Sequence, residues 1–263
     1  MKVVLAGQGA DEPLAGYQRY IGENMLTKFF PVLRFIPLKS IARLLRRSER
    51  FKRATYASQF RDELKRFLAI YSIFTPLQKD QLLLESTKCR IDDANTELIK
   101  RLYDETNCLA DPLAKLLYID TRMSLSDDLL LFGDKMSMAH SLEMRVPFLD
   151  LELVRFLEGL PSSMKLRRLT GKYIHKRAAM RWLPRYIIKR KKRGFATPMD
   201  NWLRRDLAEV TKRLIGAEDS ACQYYFNLEY IRWLIEMHQR GRENFQRHIF
   251  ALLSFELWHR EFF

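Results

Sequence analysis

The chain has 263 residues, 47% of them hydrophobic, which is enough for one large domain or two small ones with a real core. Lys and Arg number 46 against 32 Asp and Glu, a net charge of +14, so the surface suits an anionic partner: nucleotide phosphate, nucleic acid or an acidic membrane. Cys89, Cys108 and Cys222 are odd in number, widely spaced and form no CxxC pair, which argues against a disulfide framework or a structural zinc site and makes a reducing cytoplasm the simplest setting.

In chain order, Lys2-Val-Val-Leu-Ala6 reads as a short buried strand, β-branched and apolar, ended by Gly7-Gln8-Gly9. A helix containing Tyr17 and Tyr20 follows, so the chain opens as a βα unit. Its beginning has no sustained apolar run of a signal peptide, and no segment is apolar for the length of a membrane span. Arg43 to Arg53 is arginine-rich and reads as a solvated helix or loop.

The remainder reads as helical. Leu98 and Leu102, then Leu113, Leu116 and Leu117, then Phe245, Ile249, Leu252 and Leu253 recur at helical spacing. Thr75-Pro76, Asp111-Pro112 and Thr197-Pro198 each place a capping side chain before a proline suited to the first helical position. Pro147, Pro161 and Pro184 mark breaks between helices. No second strand is evident downstream. A parallel-type strand needs cover on both faces and partners at its edges, so those partners are expected from an upstream segment or from another chain.

Three segments carry candidate chemistry. In Gly7-Gln8-Gly9-Ala10-Asp11-Glu12, two glycines let the backbone approach a ligand and aim N–H groups at an anion, while Asp11 or Glu12 could hold Mg²⁺. The bland alternative is a tight turn whose acids favour the next helix. Lys189-Arg190-Lys191-Lys192-Arg193 packs like charges that repel unless solvated or facing an anion. A lysine there could stabilise charge developing on a phosphate; otherwise the run is a solvated basic loop or a nucleic-acid patch. Asp134 to Asp150 mixes charges with core residues. Helical spacing puts Glu143 one turn from His140 or Ala139, and Arg145 could pair with Glu143 or Asp150, a buried network fixing a helix end. The five histidines are scattered, and no HExxH or GxSxG motif occurs.

Leu5-Ala-Gly-Gln-Gly-Ala-Asp-Glu12 with Gly16-Tyr17 is similar to the Ser-Gly-Glu/Gln-Gly-x-Asp-Glu-x-x-x-Gly-Tyr loop of glutamine-hydrolysing asparagine synthetases. Asp134 to Arg145-Val-Pro-Phe-Leu-Asp150 resembles their Asp-x-x-Ser-Met-Ala segment ending in Arg-Val-Pro-Phe-Leu-Asp. Arg190-x-Lys192-x-Gly194-Phe195-x-x-Pro198 with Trp202-Leu203 resembles their Arg-x-Lys-x-Gly-Phe segment. The order is the family's, and the likeness spans nearly the whole chain.

The resemblance implies the C-terminal part of an α/β ATP-pyrophosphatase-type (adenine-nucleotide α-hydrolase-like) synthetase domain, mostly α in this chain. Residues 1–17 would be the last strand and ligand loop, and 18–263 a helical region. It implies ATP and Mg²⁺, with aspartate and ammonia from glutamine as substrates and β-aspartyl-AMP as intermediate. Lys192 matches the lysine that stabilises charge as pyrophosphate leaves, and Gln8 the position that forms and holds the acyl-adenylate. Ala6, Gly7 and Gly9 match backbone near ATP, Asp11 the acid on Mg²⁺–pyrophosphate, and Arg190 a support for Lys192 or phosphate. Glu12, Asp134, Glu143 and Arg145 carry over as structural support.

The sequence departs from the family in three ways. The Ser-Gly-Gly-x-Asp-Ser loop and the glutaminase domain are not found, Pro13-Leu14-Ala15 replaces Leu/Val-Phe-Gly, and Gln8 lacks the charge of Glu. The expectation is a chain active within a longer protein or with a partner chain, homodimerisation being compatible. Nucleic acid and membrane are disfavoured as partners. Two other readings remain: a β-lactam-synthetase-like relative, and a catalytically dead basic binding module using Arg43–Arg53 and Lys189–Arg193.

Overall fold

The computed structural model describes residues 2–33, 49–89, 94–190 and 197–263. The chain divides into two interleaved compact units, Met1–Phe35 with Asn95–Lys192, and Ile36–Ala94 with Arg193–Phe263. Two stretches named above lie outside the described residues: positions 43–48 of the arginine-rich segment, and Lys191 to Phe195 of the basic run and its Gly-Phe end.

In the first unit the opening strand is β1, Val3–Leu5. It has a partner within the chain: β2, Glu143–Arg145, runs parallel to it in the register Val3↔Glu143, Val4↔Met144, Leu5↔Arg145. Glu143 N–H donates to Lys2 O at 2.9 Å and Ala6 N–H to Arg145 O at 2.8 Å, extending the ladder at both ends. The expectation of a lone strand and of an unbroken helical region over 18–263 is thereby corrected. So is that of a buried strand, since Leu5 is 70% exposed. The same pairing moves Glu143 and Arg145 from a helix to a strand. Residues two apart on a strand share a face, so the expected Glu143–Arg145 ion pair forms there, at 2.8 Å, but on an exposed surface rather than in a buried network.

The first unit's core is helical. Gln18–Leu33 begins one residue after Tyr17, which therefore precedes the helix, whereas Tyr20 is inside it and fully buried. This helix is tied to Pro112–Asp120 by Arg19, whose Nη2 lies 2.7 Å from the buried Asp120. Asp111 caps Pro112–Asp120 by accepting from Leu113 N–H, with Pro112 in the first turn, as expected. Leu113, Leu116 and Leu117 are buried on one stripe, each worth about 1.5–3 kcal/mol relative to exposure. The rod continues as a π-helix, Thr121–Leu130, and an α-helix, Leu131–Met138. A π-helix this long is rare, and π-turns concentrate at functional sites. Pro147 opens a 3₁₀ turn, while Pro161 and Pro184 sit at the starts of short helices, Ser162–Lys165 and Arg185–Ile188.

The second unit has its own core of Leu82, Leu203, Ile215, Cys222, Ile231, Leu234, Ile235, Phe245, Ile249 and Leu252. Thr75 and Gln78 form a full capping box at Pro76–Leu82, and Asn227 caps Leu228–Gln239. Two expectations shift by a residue. Pro198, not Thr197, occupies the cap of Met199–Arg204, without a side-chain bond; Phe245 precedes Gln246–Phe262 as its cap. Glu256 is fully buried and accepts from Ser220 Oγ, Ala221 N–H, Cys222 N–H and Arg260 Nε.

Candidate functional site

The loop that leaves β1 is shaped by close approaches that only small residues permit. Gly9 has φ +78°, and a Cβ there would run into Leu149. Gly133 lies against Met144 and the Gln8 amide. The first and third segments singled out in the sequence are therefore one structure. β1 pairs with β2, Gln8 meets Gly133 beside Asp134, and Gly9 meets Leu149 of the Phe148-Leu149-Asp150 end.

Among the described residues no protein acceptor takes the N–H of Gly7, Gln8 or Gly9. Three successive backbone N–H groups after a strand are thereby left open to water or to an anion. Ala6 differs, because its N–H is engaged by Arg145 O. Gln8 Oε1 is buried with no hydrogen-bond partner among the described residues.

The two acids that follow have different environments. Glu12 is 1% exposed and accepts from Tyr17 Oη at 2.5 Å. Burial first, then the Glu12 carboxylate, hold the Tyr17 phenol far above its usual range, so it remains a donor. Arg19 lies over the Tyr17 ring at 4.4 Å. Glu12 is thus built into the support behind the loop and is poorly placed as a metal ligand.

Asp11 is only partly buried, and its Oδ2 lies 3.0 Å from Lys172 Nζ. Among the described residues no cluster of three or more His, Cys, Asp or Glu could cage a metal. Mg²⁺ needs no such cage when phosphate completes its shell, and a single accessible carboxylate fits that mode.

Lys172 escaped the sequence reading. It has φ +54°, and Ala15, facing it, has φ +56°. Each left-handed non-glycine residue costs roughly 1–2 kcal/mol. The cost is held by a clasp in which Lys172 N–H donates to Leu14 O at 2.8 Å, Gly171 sits on the Ala15 carbonyl, and Gly16 sits on Asp11 and Lys172. Gly171-Lys172 was the available signal, a glycine beside a cation with no hydrophobic period around it.

Of the remaining candidates, Asp134 is exposed in the first turn of Leu131–Met138, and its carbonyl accepts from Ser137 Oγ. Asp150 caps Leu151–Gly159 rather than pairing with Arg145. The Arg145 hydrogen bond holds the Glu143 carboxyl below its usual range. Arg190 is exposed just past Arg185–Ile188, and among the described residues nothing ties its side chain to the loop. No described helix is long and apolar enough to cross a membrane.

Residues 1–260 match the family described as Asparagine synthase. The chain is 30% identical over 261 residues to asparagine synthetase [glutamine-hydrolyzing] 1 of Bacillus subtilis, covering 98% of this chain and 40% of that protein. It is 30% identical over 265 residues to a putative asparagine synthetase [glutamine-hydrolyzing] of Mycobacterium tuberculosis, again 40% of that protein. A more distant relative, amidase chyE of Penicillium rubens, is 25% identical over 83% of this chain and 35% of its own length. The chain thus spans about 40% of the length of the asparagine synthetases it matches. No solved structure matches it. On the match over residues 1–260 and the coverage of nearly the whole chain, this protein belongs to the asparagine synthase family.

Proposed function

We propose that this chain supplies part of the synthetase site of a glutamine-hydrolysing asparagine synthetase, with β1, β2 and the loop after β1 belonging to an ATP-pyrophosphatase-type α/β core. In this reaction the side-chain carboxylate of aspartate attacks the α-phosphorus of ATP and pyrophosphate leaves. Ammonia derived from glutamine then attacks the acyl carbon of β-aspartyl-AMP, loses a proton and expels AMP. The observation that carries this reading is the run of N–H groups at Gly7, Gln8 and Gly9, without protein acceptors among the described residues, followed by the partly buried Asp11.

In this reading the Gly7–Gly9 donors face phosphate, with Ala6 contributing backbone beside them. Asp11 would hold Mg²⁺, which supplies charge neutralisation of pyrophosphate when bound. Gln8 Oε1, which has no partner among the described residues, would accept from a donor on the acyl-adenylate. Lys192 stabilises negative charge as the α-phosphorus–oxygen bond breaks, with Arg190 as its neighbour in the basic run. Glu12, Asp134, Glu143 and Arg145 support the loop and β2 around it. The setting is a reducing cytoplasm, within a longer protein or with a partner chain.

The test is pyrophosphate exchange into ATP by the intact protein that contains this chain, with aspartate compared against other carboxylate substrates. Strict dependence on aspartate supports this reading. Exchange driven by a carboxylate with an internal amine would replace it with a β-lactam-synthetase-like activity. No exchange with any acid, together with steeply salt-dependent RNA binding, would favour the binding module.

A further inference from the structure

The helix Gln246–Phe262 has two apolar faces. One packs into the core of its own unit, through Ile249, Leu252 and the buried Glu256. Half a revolution away runs a second line of Arg247, Phe250, Ser254, Leu257 and Glu261, flanked by Trp258, and all six are exposed. The line advances by three and four residues in turn, the seam of a helix that packs on another helix. Phe250, Leu257 and Trp258 are 51%, 54% and 48% exposed, and as neighbours on one face they form a patch rather than scattered singles.

The line is self-complementary about Ser254. Arg247 and Glu261 lie seven residues to either side of it, and Phe250 and Trp258 four. An antiparallel second copy, set Ser254 against Ser254, brings Arg247 level with the partner's Glu261 and Phe250 level with the partner's Trp258. Among the described residues Arg247 and Glu261 form no ion pair within the chain. Where two helices cross about 8–10 Å apart, the facing position admits only a small side chain. Ser254 meets that need, and its Oγ already donates to Phe250 O at 2.9 Å, so closing the pair strands no buried donor. An anionic lipid surface or nucleic acid fits this face less well, because Glu261 on the centre of the line offsets Arg247.

We propose that two copies of this chain associate through this face, as a two-fold antiparallel pair of Gln246–Phe262 helices centred on Ser254. Such a contact closes on itself at two copies. It is independent of the proposed function, since it involves nothing of the loop after β1. Fully covered aromatic side chains bury about 150–250 Å² each, so the half-exposed Phe250 and Trp258 of both copies supply roughly 300–500 Å². With Leu257 added, the pair stays below about 1,200 Å², the range of weak, reversible interfaces.

The experiment is sedimentation equilibrium of the full chain at low salt. The expected result is a monomer–dimer equilibrium with a dissociation constant of about 10–100 µM. Arg247→Glu and Glu261→Arg should each weaken it about three- to tenfold, because each sets like charges level at both ends of the pair. The double variant carrying both changes should return to within about twofold of wild type. Trp258→Ser should weaken it about tenfold or more. Trp182→Ser, at an exposed tryptophan of the other unit, should change nothing. A monomer at every concentration would overturn the proposal and leave the face to a different occupant. A dimer indifferent to Trp258→Ser and to both charge reversals would place the contact elsewhere and overturn it equally. If Trp258→Ser loses helix by circular dichroism, the charge reversals decide, and weakened single variants that the double fails to restore would refute the antiparallel register.

Discussion

Gly171→Ala tests the clasp that positions Asp11. A Cβ at residue 171 would lie 2.1 Å from the Ala15 carbonyl oxygen, which is backbone and cannot rotate away as a side chain could. Relief needs a separation of about 1 Å or more between the two segments. That displacement breaks the 2.8 Å Lys172 N–H···O Leu14 bond, worth about 1 kcal/mol. It also loosens the partly buried Lys172–Asp11 pair, worth a few tenths to about 1 kcal/mol. Overpacking strain adds about 1–3 kcal/mol, and the smaller conformational freedom of Ala in the unfolded chain returns about 0.4–1 kcal/mol. The net expectation is a destabilisation of about 2–3 kcal/mol, read by equilibrium urea unfolding together with hydrogen exchange at the Lys172 amide. Gly22→Ala is the internal control. Its Cβ would meet nothing within 4 Å, and it lies inside Gln18–Leu33, so it should stabilise by about 0.5–1 kcal/mol. An unchanged or raised stability in Gly171→Ala, with slow exchange retained at Lys172, would refute the clasp.

Three further outcomes are expected. His248 is buried between Phe74 and Phe245 with neither ring nitrogen bonded among the described residues, and burial, aided by Arg53, Lys52 and Arg247, pushes it down to about 4. The unfolded chain therefore binds the extra proton first, and stability falls as pH drops from about 6.5 to about 4, by up to about 3 kcal/mol. His248→Phe should flatten that window in urea titrations at stepped pH, and a persisting slope there would assign it to other groups. Glu256→Gln removes a buried carboxylate that four donors address. It should cost about 2–4 kcal/mol by thermal or urea unfolding, and a loss below about 0.5 kcal/mol would contradict its role. The four donors outweigh the opposing effect of burial and hold its carboxyl below the usual range, so its contribution is present above the unfolded value and fades as pH falls below it. Glu143→Ala and Arg145→Ala should leave the unfolding midpoint nearly unchanged, because the pair is exposed; a large loss in either would restore the buried network.

What the sequence made legible follows from the range of each signal. β1 was readable because Val3, Val4 and Leu5 are apolar and partly β-branched before a glycine loop. β2 was not, because Glu143-Met144-Arg145 owes its extended state to a partner 140 positions away in register and not to its own composition. Its alternation of exposed, half-buried and exposed residues was the only local trace. The caps at Thr75 and Asp111 are local hydrogen bonds between neighbours, so they were found. The Glu143–Arg145 pair was anticipated, but its exposure depends on tertiary placement. Gln8 and Asp11 were singled out from their motif. Lys172 was not, because what joins it to Asp11 is two left-handed residues and two glycines from distant segments, which no periodicity reports. Lys192 was named from its motif alone and lies outside the described residues.

The central claim is that the N–H groups of Gly7, Gln8 and Gly9 are the phosphate donors. Selective ¹⁵N-glycine labelling reaches it directly, since the chain has 10 glycines and Gly7 and Gly9 are two of them. Titration with magnesium pyrophosphate should shift the Gly7 and Gly9 amides saturably, and leave Gly22 and Gly241 in place. Unmoved Gly7 and Gly9 resonances at saturating pyrophosphate would contradict the account.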